Sequence, residues 1–133
     1  MRIMIDTNIL VSMIFFPGKR MNELKTLLCR RHLIVLCSYV IDELQRVTAR
    51  KFLSKAKEMD DFLRDLPFQM VYTPKFIDTE HFPKVRDVTD TPILATAILE
   101  GVDVLITGDG DFAPVETGRP EILTPAEFMK KYT

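Results

Sequence analysis

The chain has 133 residues, 47% of them hydrophobic and 28% charged, with 18 Lys+Arg against 19 Asp+Glu for a net charge of −1. An ordinary apolar share with so little net charge excludes intrinsic disorder, and the length suits one domain, residues 1–133, around one core. No run approaches the roughly 18 apolar residues of a membrane span, and Asp6 falls where a secretory signal keeps its apolar region, so a soluble cytoplasmic protein is expected.

Met1–Ile5 reads as a short apolar strand. Asp6-Thr7-Asn8 then opens a helix in which Ile9, Leu10, Met13 and Ile14 fall at helical spacing and which Pro17-Gly18 stops. A second helix is expected over Asn22–Arg31, with Leu24, Leu27 and Leu28 inward. Leu33–Cys37 is an unbroken apolar run, as in a strand buried on both faces. Ser38 is a good N-cap for a helix lined by Val40, Leu44 and Val47, and Ser54 for another reaching Leu66. Gln69–Thr73 suits a third strand, followed by an irregular stretch from Pro74 to Thr89. Thr91-Pro92 starts a helix that ends at Gly101, Val102–Ile106 forms a fourth strand, and Glu121–Leu123 a short fifth. Thr124-Pro125-Ala126-Glu127 is a capping box for a final helix. Strands alternating with helices imply an α/β fold, a parallel sheet joined by right-handed crossovers.

Cys29 and Cys37 are the only cysteines and His32 and His81 the only histidines, so neither a disulfide framework nor zinc-ligand spacing exists. Ser-His-Asp and Cys-His catalytic sets are equally hard to assemble. Chemistry here is expected to run on carboxylates. Charge is also uneven: residues 1–66 carry 12 Lys+Arg and 8 Asp+Glu, residues 67–133 carry 6 and 11.

In an open parallel sheet the functional crevice lies outside the C-terminal strand ends. Asp6 follows the first strand and Asp109 the fourth, so both should project there; Glu43 lies early in the helix after the second strand, and Asp90 just before the helix feeding the fourth. Carboxylates gathered in one pocket repel unless a cation sits among them, and oxygen-only ligands point to Mg²⁺ or Mn²⁺. The matching reaction is phosphodiester hydrolysis. Structural roles stand beside these: Asp6 as N-cap, Glu43 as an acid at a helix start, Asp90 as a helix-start residue, Asp87 and Asp111 as turn residues. Thr7, Asn8 and Thr107 serve equally as caps or as groups orienting carboxylates or water.

Taken in order, MIDTNILVS, SYVIDELQRV, DVTDTPILATAILEGVDVLITGD and the following DF resemble the PIN domain, a family of small metal-dependent ribonucleases that includes many toxins of toxin–antitoxin pairs. The resemblance implies a three-layer α/β/α fold with a twisted, mainly parallel sheet of about five strands. It places Asp6, Glu43, Asp90 and Asp109 on the acidic positions that hold one or two Mg²⁺ or Mn²⁺ ions. Thr7 or Asn8, and Thr107, fall on supporting polar positions, with Asp111 as an extra acid. The D-x-x-I-x-A spacing in DTPILA selects Asp90 over Asp87 as the third acid.

It further implies an RNA substrate, with Lys19, Arg20, Arg46, Arg50 and Lys51 as phosphate contacts or simply solvated helix charges. A cognate antitoxin protein and a homodimer are the implied partners, for which the apolar cluster Met13, Ile14, Phe15 and Phe16 offers a contact if it does not pack in the core. Two other classes compete. An aspartyl-phosphate phosphatase or receiver domain also uses an Asp after strand one, but needs a Lys near the later strands, and TGDGDFAPVETG has none. An inactive PIN-like module binding RNA or protein would keep the acids only as structure.

Overall fold

The computed structural model describes residues 1–75, 91–108 and 119–133. Its elements are β1 (Arg2–Ile5), α1 (Thr7–Phe15), α2 (Lys19–Arg31), β2 (Leu33–Cys37), α3 (Ser38–Lys51), a 3-10 turn (Leu53–Lys55), α4 (Ala56–Asp65), β3 (Phe68–Val71), α5 (Thr91–Leu99), β4 (Val104–Ile106), β5 (Glu121–Leu123) and α6 (Pro125–Tyr132). The five strands form one sheet in the order β3-β2-β1-β4-β5. Every pairing is parallel, with Ile3 opposite Ile34 on one side and opposite Val104 on the other.

The burial pattern explains the layers. Successive strand residues point to opposite faces, yet Ile3, Met4 and Ile5 are all fully buried, as are Ile34–Cys37 and Val104–Ile106. Helices therefore cover both faces of the three inner strands, which is why their sequences are unbroken apolar runs. The edge strand β3 departs from this, with Gln69 and Met70 exposed.

Two helix starts differ from expectation. Helix α2 begins at Lys19, three residues early, with Gly18 as an N-cap that offers no side chain. Ser54 lies inside the 3-10 turn, and the N-cap of α4 is Lys55, without a side-chain bond. The chain turns there because Lys55 N–H donates to Phe52 O at 2.8 Å and the Phe52 ring stacks on Phe15 at 4.5 Å. Gly101 adopts φ +62 just after α5, the left-handed conformation that ends a helix at little cost for glycine. The capping box at α6 is present in full: Glu127 N–H donates to Thr124 Oγ1 and Thr124 N–H to Glu127 Oε1.

Of the apolar cluster in α1, Met13 and Phe15 are buried and Ile14 is partly buried, so core packing claims most of it, whereas Phe16 is exposed. Among the described residues no helix is long and apolar enough to cross a membrane. The fully buried Leu24 anchors α2, so Leu24→Ala is expected to cost about 2–5 kcal/mol. Leu99→Ala, at an exposed position, should change stability by less than about 0.5 kcal/mol; urea unfolding of both variants checks the contrast.

Helix α6 is fastened to the sheet by Glu121 of β5, which accepts from Lys131 Nζ and, at 2.6 Å, from Tyr132 Oη. Lys131 first, and Tyr132 next, hold the Glu121 carboxyl below its ordinary value of 4.5. Glu121 in turn holds the Lys131 ammonium above 10.5. A depressed carboxyl contributes stability that is complete above its unfolded value and disappears as the pH falls through the folded one. The difference in melting temperature between the wild type and Glu121→Gln should therefore shrink as pH is taken below 4.5; a difference unchanged by acid would refute this attachment.

Candidate metal centre

Strand order fixes where a site can form. From β1 the chain steps to β2 and β3 on one side, whereas β4 and β5 lie on the other, so the direction of winding reverses between β1 and β4. Crossovers on the two sides diverge there and leave a crevice at the C-terminal ends of those strands. Asp6 and Thr107 are the residues immediately after them.

Asp6 is only 5% exposed. Its N–H extends the sheet by donating to Ile106 O at 3.1 Å, and its extended backbone makes it the N-cap of α1. Oδ1 accepts from Ile9 N–H at 3.0 Å, and Oδ2 accepts from the Thr107 hydroxyl. Thr107 is itself buried and donates its N–H to Leu123 O at 3.0 Å. Asp6 is thus both an N-cap and a residue of the crevice, and the two roles set against each other in the sequence coincide. The positive end of the α1 dipole lies against this carboxylate.

Thr7 begins α1 and is buried, and among the described residues its Oγ1 has no hydrogen-bond partner. A buried unpaired hydroxyl costs about 1–3 kcal/mol and calls for an explanation. A hydrated hard cation at Asp6 would supply one, and the oxygen donors at this point of the fold fit such an ion. Asn8 is exposed. Among the described residues, a Cβ at Gly108 would meet Ile9 Cδ1 at 3.8 Å, an ordinary contact.

Glu43 lies in the second turn of α3, partly buried, next to the fully buried Leu44. Asp87, Asp90, Asp109 and Asp111 lie outside the described residues, as does His81. Among the described residues no three His, Cys, Asp or Glu side chains gather as metal ligands. Lys19 and Arg20 open α2, and Arg46, Arg50 and Lys51 occupy the later part of α3; all five are exposed.

The sequence did not reveal the hydroxyl network that seats α3. Ser38 is not the N-cap. Cys37 holds that position without a side-chain bond, and the Ser38 Oγ instead accepts from Thr73 N–H at 2.9 Å. Thr73 Oγ1 accepts from Tyr39 N–H at 3.3 Å, so a hydroxyl beyond β3 caps the helix that follows β2. Thr96 Oγ1 gives its proton to Pro92 O at 2.6 Å and lies 3.3 Å from Thr73 Oγ1. One hydroxyl chain thus ties the first turn of α3 to α5. A threonine directly after an apolar run was the available signal, but its partners are 23 to 35 residues away.

The remaining reactive groups are placed for structure. Burial pushes the Cys37 thiol up from its ordinary value, against hydrogen bonds led by Val40, so it makes a poor nucleophile. His32 precedes β2, at the opposite end of the parallel strands from Asp6, edge-on to Phe128; burial first, then the N-terminal ammonium and Arg31, lower its pKa.

The sequence matches the PIN domain family over residues 2–111, and the chain belongs to that family. Among solved structures it is similar to VapBC2 from Rickettsia felis, solved bound to a DNA fragment from their promoter. That match has a TM-score of 0.68 at 21% identity, covering 92% of this chain and 97% of that one. It is also similar to VapC20 of Mycobacterium tuberculosis, described as a sarcin–ricin loop cleaving toxin, with a TM-score of 0.59 at 14% identity, covering 82% of this chain and 91% of that one. No curated protein matches the sequence significantly.

Replacing the Thr107 hydroxyl leaves Asp6 Oδ2 buried without this donor, so Thr107→Val should destabilise by about 1–3 kcal/mol and Thr107→Ser should recover most of the loss. Urea midpoints of the two variants measure it, and equal stability of Thr107→Val and wild type would show that this hydrogen bond is idle.

Proposed function

We propose that this chain is a Mg²⁺- or Mn²⁺-dependent endoribonuclease, a single catalytic domain over residues 1–133, and the cytoplasmic toxin of a toxin–antitoxin pair. The observation that carries it is the Asp6 carboxylate, buried at the β1–β4 switch point and accepting from Ile9 N–H and the Thr107 hydroxyl, with the unpartnered Thr7 hydroxyl beside it in sequence. Membership of the PIN family and likeness in fold to VapC20 and VapBC2 support the reaction class and an antitoxin partner.

In this reading Asp6, Asp90 and Asp109 hold the ion, Glu43 holds a second ion or orients the attacking water, and Asp111 adds a further acid. A bound divalent ion supplies Lewis acidity, making water a better nucleophile and offsetting charge on the phosphoryl oxygens. The protein's own contribution is orientation. The N–H of Ile9 and the hydroxyl of Thr107 fix both oxygens of Asp6 before substrate arrives, Thr7 and Asn8 stand beside it in the first turn of α1, and the Thr73–Thr96 chain seats the helix that carries Glu43. RNA approaches as a polyanion and is held through its phosphates by surface cations.

Asp6→Asn tests this cleanly, because asparagine caps a helix about as well as aspartate while removing the charge. Mn²⁺-dependent cleavage of RNA should fall by about 100-fold or more with the circular dichroism spectrum unchanged. Retained cleavage would sink the assignment, and RNA binding without cleavage by the wild type would favour an inactive binding module.

A further inference from the structure

We infer that the flank where the C-terminal ends of α1 and α3 meet is a docking surface for single-stranded RNA, with Phe16 as the platform on which a base stacks. This rests on the ribonuclease reading and names a place where its substrate is held.

Two stretches distant in sequence build the flank. Residues 9–22 contain two cations and residues 44–57 five, and neither stretch contains an acid. The aromatic rings join them. Phe52, the C-cap of α3, stacks on the buried Phe15 at 4.5 Å and takes Phe16, the C-cap of α1, edge-on at 5.7 Å. Phe16 is thereby fixed, yet 62% exposed, with Leu53 beyond Phe52 71% exposed. A large apolar ring held in place between two acid-free stretches that carry cations is the combination that single-stranded nucleic acid uses: stacking for bases, cations for phosphates.

The cations are not explained by the protein itself. Among the described residues none of the seven takes part in an ion pair, whereas Arg2, Arg64, Arg119 and Lys131 do. Arg50 and Lys51 in the last turn of α3 suit the negative end of that helix. Lys19 and Arg20 do not: they stand in the first turn of α2, where the helix field is positive and no acid accompanies them. An anion laid across this flank turns that unfavourable placement into attraction. Phe16 lies at the far end of nine-residue α1 from Asp6, a span of about 14 Å, so a strand only a few nucleotides long reaches from one to the other.

Because the chain has no tryptophan, Phe16→Trp creates a single fluorophore at the platform. With the full chain in EDTA, so that RNA stays intact, a single-stranded oligoribonucleotide should quench this fluorescence saturably. Phe16→Ala should weaken binding of the same labelled oligonucleotide by about 5- to 100-fold. Replacing Arg20 and Arg50 by Gln should flatten the dependence of log K on log salt by about 0.7 for each phosphate that is no longer neutralised.

Binding of the oligonucleotide with no quenching and with undiminished affinity in Phe16→Ala overturns the proposal. So does equal quenching by poly-glutamate, which would mark the face as one for an acidic protein, or quenching that tracks protein concentration without RNA, which would mark a self-association face. Absence of Mn²⁺-dependent cleavage by the wild type, with quenching intact, would instead refute the nuclease reading and leave this surface standing.

Discussion

Asp6 stands where a strand buried on both faces runs out, at the position where the winding of the sheet reverses, and an acid there is tolerable only if its oxygens are engaged. Ile9 N–H and the Thr107 hydroxyl engage them, and in doing so they join three things: the start of α1, the end of β1 and the end of β4. The same hydrogen bonds that let the fold accept a buried acid make it rigid for chemistry. In the proposed reading, a carboxylate held this way on the ends of strands would need no further ordering on binding an ion.

Around that point the protein uses hydroxyls rather than imidazoles or thiols. Thr107 orients Asp6, Thr7 offers an unclaimed oxygen, and Thr73 and Thr96 relay one hydrogen-bond chain from the backbone of α3 to that of α5. Cys37 and His32 are used otherwise: Cys37 is sealed in the sheet with its thiol pushed up by burial, and His32 packs on Phe128 at the opposite end of the strands. Oxygen donors alone favour a hard divalent ion, and a hydroxyl is a supporting group whose protonation does not change across the working pH range.

Charge is sorted in space more sharply than the near-zero total suggests. Among the described residues, the seven cations of the acid-free stretches 9–22 and 44–57 take part in no ion pair, whereas others serve as local struts, such as Lys131 with Glu121. A near-zero total is therefore no argument against a polyanionic substrate.

What the sequence determined by itself was whatever is encoded locally. Unbroken apolar runs announced inner strands of a parallel sheet, TPAE announced the capping box of α6, and the DTN and TGD segments marked the two strand ends that form the crevice. What only the tertiary structure decided depends on partners far along the chain. Ser38 looked like an N-cap, yet its oxygen serves Thr73, and Thr73 performs the capping. Phe16 looked like one more member of an apolar cluster, yet the Phe52 ring fixes it facing solvent. Thr107 read as a cap or as a group orienting a carboxylate or water, and the fold shows which carboxylate it is: Asp6, 101 positions away in sequence. Periodicity and capping are short-range physics and can be read from neighbours; a hydroxyl's choice of acceptor and a ring's choice of face are settled only when the sheet brings distant residues together.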